Sequence, residues 1–391
     1  MQSVLNGSFF SIVSLFCVAL SVVGSAYALV AVHCVRRFAS RRPKLPSANP
    51  SVTLLKPLYG HEPGLEAALA TFCSQDYRGK VQIVFGVQSP DDPAIAVAKT
   101  LMASYPEVAF DLVIDAAVHG INGKVSNLIN MARTIRHDVV VLADSDIVVP
   151  ASYLSQVVGA LEEEGAGLVT CLYRGAPIAG VWSRLAAAAI DLHFLPSVLV
   201  GTATGLARPA FGSTIAMRRE TLSAIGGFAP FADHLADDYA IGRAVRDLGM
   251  AAAIPPIVVE HLCSDASFRA LWHHELRWAR TIRLIDPTGF LGSGLTHALP
   301  FAAIGLVFAG FQGYAWGAVA LALACRLLLW RALVRCLHIA LRGVGLVIVR
   351  DMLSFVVFVA SFLAFRVRWR NFGYKIGLGG TMVPLKKDLK R

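Results

Sequence analysis

Asp138-Val-Val-Val-Leu-Ala-Asp144-Ser145-Asp146 is a β-branched run that ends in two carboxylates one residue apart. Three similar runs precede it: Ser51-Val-Thr-Leu-Leu55, Val81-Gln-Ile-Val-Phe-Gly-Val87 and Phe110-Asp-Leu-Val-Ile114. Helical stretches near Gly64 to Ser74, Pro93 to Ser104 and Lys124 to Ile135 separate them. Strands alternating with helices of this length predict an α/β domain with a mainly parallel sheet and right-handed crossovers. In open sheets of this kind ligands bind beyond the carboxyl ends of the strands. Asp144 and Asp146 stand at such an end.

The surrounding chain is not that of an ordinary cytosolic enzyme. Of 391 residues, 55% are hydrophobic and only 16% charged, against about 25% in a typical soluble domain. Disorder and a collagen-like repeat are excluded by the same figures. The net charge, 36 − 26 = +10, suits nucleic acid, an anionic lipid surface or an anionic substrate. The basic residues cluster beside apolar segments rather than along a groove-reading element, which argues against nucleic acid. The seven cysteines are scattered and never spaced C-x-x-C. That pattern implies reduced thiols, with neither a disulfide framework nor a zinc site.

No Lys, Arg, Asp or Glu occurs before Arg36, and Phe9 to Val35 is long enough to span about 30 Å of hydrocarbon. Arg36, Arg37, Arg41, Arg42 and Lys44 follow at once. A secretory signal would place its basic residues before a shorter apolar core. The positive-inside rule then puts the N-terminus outside and the following chain in the cytoplasm. The expected division is an N-terminal transmembrane segment over 1–36, a basic linker over 37–49, a water-soluble domain over 50–287, and a membrane region over 288–391. Within the last, Leu295 to Phe311 and Gly313 to Leu329 read as a hairpin. A further apolar stretch, Val344 to Phe365, is interrupted by Arg350 and Asp351. It either spans, lies in the interface, or holds those two charges paired inside a bundle. If it spans, the tail with Arg366, Arg368, Arg370, Lys375, Lys386, Lys387, Lys390 and Arg391 lies outside, against the charge rule. The arginines between Arg331 and Arg342 suit anionic headgroups.

The candidate site residues carry their own chemistry. Carboxylates at i and i+2 on a turn, as Asp144 and Asp146 are, can approach one hard cation together, and such an ion can neutralise a departing diphosphate. Asp91-Asp92-Pro93 follows the second strand in the same topological position, and Asp92 also suits the N-cap of the next helix. Gly123-Lys124-Val-Ser-Asn127 opens a helix, where free amides and a lysine favour an anion or a polar base edge. Asp237-Asp238-Tyr239 opens another; acidic residues there complement the helix dipole, and a carboxylate at the rim can serve as a general base. His273-His-Glu-Leu-Arg277-Trp278-Ala-Arg280 is basic and aromatic. It suits phosphate recognition by a planar guanidinium or anchoring at a membrane interface.

These segments, in this order, resemble the membrane-bound GT-A glycosyltransferases of the ceramide glucosyltransferase family. The resemblance runs through Leu54-Leu-Lys-Pro-Leu58, Asp91-Asp-Pro-Ala94, Lys124 with Asn127, Asp144-Ser-Asp146, Asp237-Asp-Tyr239 and Arg277-Trp278, flanked by membrane segments. Lys124-Val-Ser-Asn-Leu-Ile-Asn-Met131, Ala232-Asp-His-Leu-Ala-Asp-Asp-Tyr239 and His274-Glu-Leu-Arg-Trp-Ala-Arg-Thr-Ile-Arg283 are most similar to the bacterial hopanoid-biosynthesis branch.

The resemblance implies a GT-A domain over 50–287 and inverting transfer of N-acetylglucosamine from its UDP-sugar to bacteriohopanetetrol. Glucose transfer to ceramide is the alternative. It implies that Asp92 faces the uracil and that Asp144 lies near the ribose and diphosphate. Asp146 then completes a site for Mg2+ or Mn2+, and Asp238 acts as the base. Lys56, Lys124, Asn127, Arg277 and Trp278 join the donor side; Asp237, His193 and His274 are acceptor-side candidates. His274 departs from the Gln or Arg that opens the family's (Q/R)-x-x-R-W signature. The implied setting is the bacterial inner membrane, with the catalytic domain cytoplasmic and no obligate protein partner. Leu195 to Phe211 reads either as a mobile wall around the acceptor or as an ordinary helix. A processive polysaccharide synthase would need more membrane helices, and a non-catalytic scaffold need not retain the whole acidic set.

Overall fold

In the computed structural model, which describes residues 2–341, 343–363, 366–369, 372–376 and 381–384, the four expected strands lie side by side. They are β1 (Val52–Pro57), β2 (Val81–Val87), β3 (Ala109–Ile114) and β4 (Val139–Leu142), paired in parallel in the order β3-β2-β1-β4. β1 and β4 are buried along their whole length, as central strands covered on both faces must be. The strand order reverses between β1 and β4, so the crevice beyond their carboxyl ends is where a ligand binds in this architecture.

Six more strands complete two sheets: β5 (Ile147–Val148), β6 (Ala166–Val169), β7 (Leu172–Pro177), β8 (Ile215–Arg218), β9 (Ala251–Ala253) and β10 (Val258–Cys263). β8 joins antiparallel between β4 and β6, and β9 closes that edge, giving seven strands. β10 pairs with β5 antiparallel and β7 parallel in a second sheet. The helix Leu65–Cys73 buries Leu65, Ala68, Leu69 and Phe72, the i, i+3, i+4, i+7 stripe of a core-facing helix. Val125 and Leu128 of the helix Gly123–Ala132 meet Leu55, Val84 and Leu142 in the main core. Each such side chain contributes about 1.5–3 kcal/mol on full burial. These elements form one unit, made of 41–178, 208–264 and 368–391.

The second unit combines 1–40, 179–207 and 265–367. Its N-terminal helix, Gln2–Ala39, packs along Ala298–Phe308, Gly313–Leu337 and Leu195–Ala203. Gly24 permits the approach, since a Cβ there would lie 2.6 Å from the Leu295 carbonyl oxygen. Among the described residues, four helices are long and apolar enough to cross a membrane: Ser8–Ala39, Gly180–Ala203, Gly313–Leu337 and Val344–Ser361. The first arm of the expected hairpin is instead a pair of helices, Pro287–Thr296 and Ala298–Phe308, bent by 61°.

The helix Gly180–Ala203 is not among the expected membrane segments; only its last part, from Leu195, falls in the stretch that reads as a mobile wall or an ordinary helix. It contains one π-helical turn, Ile190–Phe194, and Leu195–Ala203 continues it as helix. Arg184, Asp191 and His193 make this stretch read as part of a water-soluble domain, yet Asp191 is buried. It therefore groups with the apolar helices, as does 265–287, rather than with the rest of 50–287.

Arg350 and Asp351 do not pair with each other. Arg350 forks onto Glu275 at 2.6 and 2.8 Å, while Asp351 accepts from Arg326 Nε at 2.7 Å and meets His193 Nε2 at 3.0 Å. Buried charges in apolar bundles pair in this way because each would otherwise stand unsolvated. The expectations attached to Arg342, Arg370, Lys386, Lys387, Lys390 and Arg391 lie outside the described residues.

Candidate active site

The turn after β4 carries the first carboxylates, and the backbone around it is tightly held. The Asp144 N–H donates to the Gly212 carbonyl at 3.0 Å. From beneath, the Lys56 ammonium donates to the Asp144 carbonyl at 2.6 Å and sits 3.7 Å from the centre of the Phe72 ring. Lys56 is wholly buried. Burial pushes its pKa down to about 7 against the pull of Asp144, Asp146 and Glu62. Ser145 donates to Glu62 at 2.5 Å, fixing the middle of the turn.

Lys124 reaches the same point from the start of its helix. Asn122 caps that helix by accepting from the Lys124 and Val125 amides, the usual device for satisfying the first free N–H groups. The same Asn122 donates to the His234 carbonyl at 2.8 Å and bonds Ala232 through its backbone. One residue thus positions both Lys124 and the loop leading into Asp237-Asp238. The Lys124 ammonium lies 2.6 Å from Asp144 Oδ1 and 3.2 Å from Asp237 Oδ2. Burial alone would discharge it, but Asp144 and Asp237 prevail and hold it charged, well above the ordinary lysine range.

Asp238 turns toward Gly212. Its Oδ2 accepts from the Gly212 N–H at 3.0 Å and its Oδ1 from the Tyr239 N–H at 2.8 Å. Burial, reinforced by Asp237, pushes its pKa up to about 6 despite Lys124. Gly212 therefore bonds Asp144 through its carbonyl and Asp238 through its amide. A Cβ on Gly212 would fall 2.4 Å from Asp144 Oδ2, so any larger residue there forces that carboxylate to shift.

Asp146 points the other way, its Oδ2 3.2 Å from His261 Nε2. β10 delivers that histidine: His261 is in register with Ile147 of β5, and the Leu262 N–H donates to the Asp146 carbonyl at 2.9 Å. Burial opposes both charges, yet their contact wins, raising His261 and holding Asp146 at about 2. The second Asp146 oxygen, Oδ1, is buried without a hydrogen-bond partner. Asp144 and Asp146, the latter with its unsatisfied Oδ1, are oxygen ligands of the kind a hard divalent cation takes. Among the described residues no three His, Cys, Asp or Glu groups converge on one point; the Lys124 ammonium holds Asp144 instead.

The remaining donor-side candidates lie at the end of β2 or in the second unit. The Asp92 carboxylate accepts from the Gly60 amide at 2.9 Å and from the Ala94 amide at 2.9 Å, so its helix-capping role is present. Asn127 donates to the Gly86 carbonyl at 2.7 Å and keeps a buried Oδ1 without a hydrogen-bond partner. Arg277 and Trp278 belong to the helix Phe268–Ile285 of the second unit. There His274 stacks edge-on against Trp278 at 4.7 Å and bonds Asp265 at 3.2 Å. His193 is engaged with Asp351 and Arg326. Gly212, His261 and Glu62 are additions the sequence does not single out.

The family model of Glycosyl transferase family 21 matches residues 16–382. The chain belongs to Glycosyl transferase family 21. This family 21 enzyme is 24% identical over 391 residues to ceramide glucosyltransferase 3 of Caenorhabditis elegans, covering 96% of this chain and 82% of that protein. It is 23% identical over 392 residues to ceramide glucosyltransferase 1 of the same organism, with the same coverage. In fold it is similar to a mannosyltransferase of Pyrobaculum calidifontis, solved in complex with GDP-Man and Mn2+, at a TM-score of 0.56 and 21% identity over 90% of this chain and 99% of that one. The GT-A-like fold and a sugar-transferring activity, both expected from the sequence, stand on these likenesses.

Proposed function

We propose that this family 21 enzyme transfers a sugar from a UDP-sugar to a lipid hydroxyl with inversion at the anomeric carbon, Asp238 acting as the base. The observation that carries the reading is Asp238 itself, a half-buried carboxylate raised to about 6 beside Asp237 and anchored on the Gly212 amide. A base poised near the working pH is what such a transfer needs. Asp238 takes the proton of the acceptor hydroxyl as that oxygen bonds to the anomeric carbon. The bond from that carbon to the diphosphate breaks, and its electron pair leaves with UDP.

The developing negative charge on the diphosphate falls to cationic groups. Lys124, already held charged between Asp144 and Asp237, is one of these; Arg277, on the helix Phe268–Ile285, is a donor-side candidate from the family signature alone. A divalent cation, Mg2+ or Mn2+, would be held by Asp144 and Asp146 and would supply further neutralisation when bound; the unsatisfied Asp146 Oδ1 supports this pair. Lys56 serves the donor through the backbone of the turn, and Asp92 and Asn127 flank the nucleotide at the end of β2. Asp237, His193 and His274 remain the acceptor-side candidates.

The phrases around Lys124, Asp238 and Arg277 favour N-acetylglucosamine as the sugar and a hopanoid polyol, bacteriohopanetetrol, as the acceptor. The names of the two nematode relatives favour a second reading, glucose transfer to ceramide. In either case the lipid body stays in the bilayer, where burial of apolar surface holds it. Arg36, Arg37, Arg41, Arg42 and Lys44, directly after the first apolar segment, support a cytoplasmic sheet unit at a bacterial inner membrane. The test is Asp238→Asn: transfer is abolished while UDP-sugar binding by calorimetry is kept. Unchanged turnover removes Asp238 from the role of base.

A further inference from the structure

The helix Asp237–Asp247, whose first turn carries Asp237 and Asp238, starts without a side-chain cap, its N-cap being Ala236. Alanine is a poor N-cap because it offers no oxygen to the first free amides, and helix ends left in this state open locally at little cost. The place of Asp238 therefore depends on what holds the loop 232–236. One hold comes from the turn before Lys124. The Asn122 N–H donates to the Ala232 carbonyl at 2.8 Å, the Asn122 side-chain amide to the His234 carbonyl at 2.8 Å, and the Ile121 N–H to Asp233 Oδ1 at 2.9 Å.

A second hold comes from the far end of the chain. Thr381 bridges His234 in antiparallel fashion, and the Met382 N–H donates to the Asp233 carbonyl at 2.8 Å. Met382 is 3% exposed. It opens the strand Met382–Pro384, which pairs antiparallel with the strand Phe372–Ile376. The loop, the turn before Lys124 and this pair of strands all belong to the sheet unit. Asp233 is thus gripped twice just before the helix begins, through its carboxylate by Ile121 and through its carbonyl by Met382. One backbone hydrogen bond adds little net stability, so the consequence of the second grip is where the loop sits rather than how firmly the unit folds.

We propose that the C-terminal strand is a clamp on the loop leading to Asp238, with Thr381 and Met382 as positioning residues that keep this carboxylate placed to take the acceptor proton. This rests on the reading of Asp238 as the base given above. The assay uses the full-length protein in lipid nanodiscs and measures kcat, donor KM, the thermal midpoint and hydrogen–deuterium exchange over 232–240. Met382→Pro removes the donating amide at the first residue of a strand, where proline is tolerated. Its kcat falls about tenfold, the scale of a sub-ångström misplacement of a reacting group, while donor KM and the midpoint stay near wild type. Exchange over 232–240 rises, because the start of the helix opens more often. Met382→Glu puts an unpaired carboxylate in a buried position and so undocks the strand; it shows the same fall in kcat and reports even if the proline variant does not fold. Met382→Leu, which keeps both the amide and the apolar side chain, rescues kcat. A wild-type kcat in Met382→Pro, or in Met382→Glu where the proline variant does not fold, overturns the proposal whatever the midpoint does. Asp238→Asn separates the two layers. Unchanged turnover there refutes the base role of Asp238, whereas abolished turnover there with a wild-type kcat in the Met382 variants refutes the clamp alone.

Discussion

Replacing Gly212 with alanine tests the geometry of the acidic site with a single carbon. The added Cβ would lie 2.4 Å from Asp144 Oδ2, where ordinary contact begins near 3.4 Å, and 3.3 Å from the Lys124 ammonium. The deficit against Asp144 is 3.4 − 2.4 = 1.0 Å. Asp144 cannot absorb it freely: its other oxygen is held by Lys124, its amide by the Gly212 carbonyl and its carbonyl by Lys56. A displacement of about 1 Å at a reacting site costs about 100-fold in rate. On stability, overpacking costs about 1–3 kcal/mol, part of which the reduced backbone freedom of the unfolded chain offsets. Gly212→Ala therefore stays folded while kcat, read as UDP release with donor and lipid acceptor present, falls about 100-fold. Gly317→Ala, in a helix with nothing within 4 Å of the added carbon, is the control and keeps wild-type turnover. A kcat for Gly212→Ala within about twofold of wild type, far short of that expected loss, would refute the claim that Gly212 braces Asp144 and Asp238.

Three further outcomes follow from the same structure. Asp238 must be ionised to accept a proton, and its pKa is about 6; log kcat falls with a slope near one below that pH and levels above it, and a flat profile down to pH 4.5 contradicts its role as base. EDTA abolishes transfer and Mn2+ or Mg2+ restores it, while Asp146→Asn raises the cation concentration needed for half-maximal rate; full activity in a metal-free assay refutes the Asp144/Asp146 pair. Asp351→Ala strands Arg326, itself 3% exposed, and lowers stability by about 3–5 kcal/mol; an unshifted denaturation midpoint shows that the buried network bears no strain of this kind.

The parts of the fold and site that could be read in the sequence are those whose causes are local. β1 to β4 are continuous β-branched runs, and their helices fall in the gaps between them. The Asp144-Ser145-Asp146 turn follows because it ends the last of those strands. Asp92 was likewise readable as a helix cap, and it does accept from the Ala94 amide. The features that escaped depend on partners far along the chain. Gly212 is a glycine because Asp144 approaches it, and nothing in its own neighbourhood announces that. His261 reaches Asp146 through the pairing of β10 with the two-residue strand β5, a register no periodicity encodes. The apolar helix Gly180–Ala203 hides behind Arg184, Asp191 and His193. His193 meets Arg326 and Asp351, more than a hundred residues later.

Sugar transfer from a UDP-sugar to a lipid hydroxyl is read out by mass spectrometry of lipids from membranes that contain the protein. Those membranes are supplied with UDP-glucose and UDP-N-acetylglucosamine together with bacteriohopanetetrol and ceramide. The expected product is an N-acetylhexosamine mass added to the hopanoid, lost in Asp238→Asn membranes. A hexose on ceramide would move the enzyme to the second reading with its mechanism intact. Neither lipid modified, with no UDP released, would contradict the account.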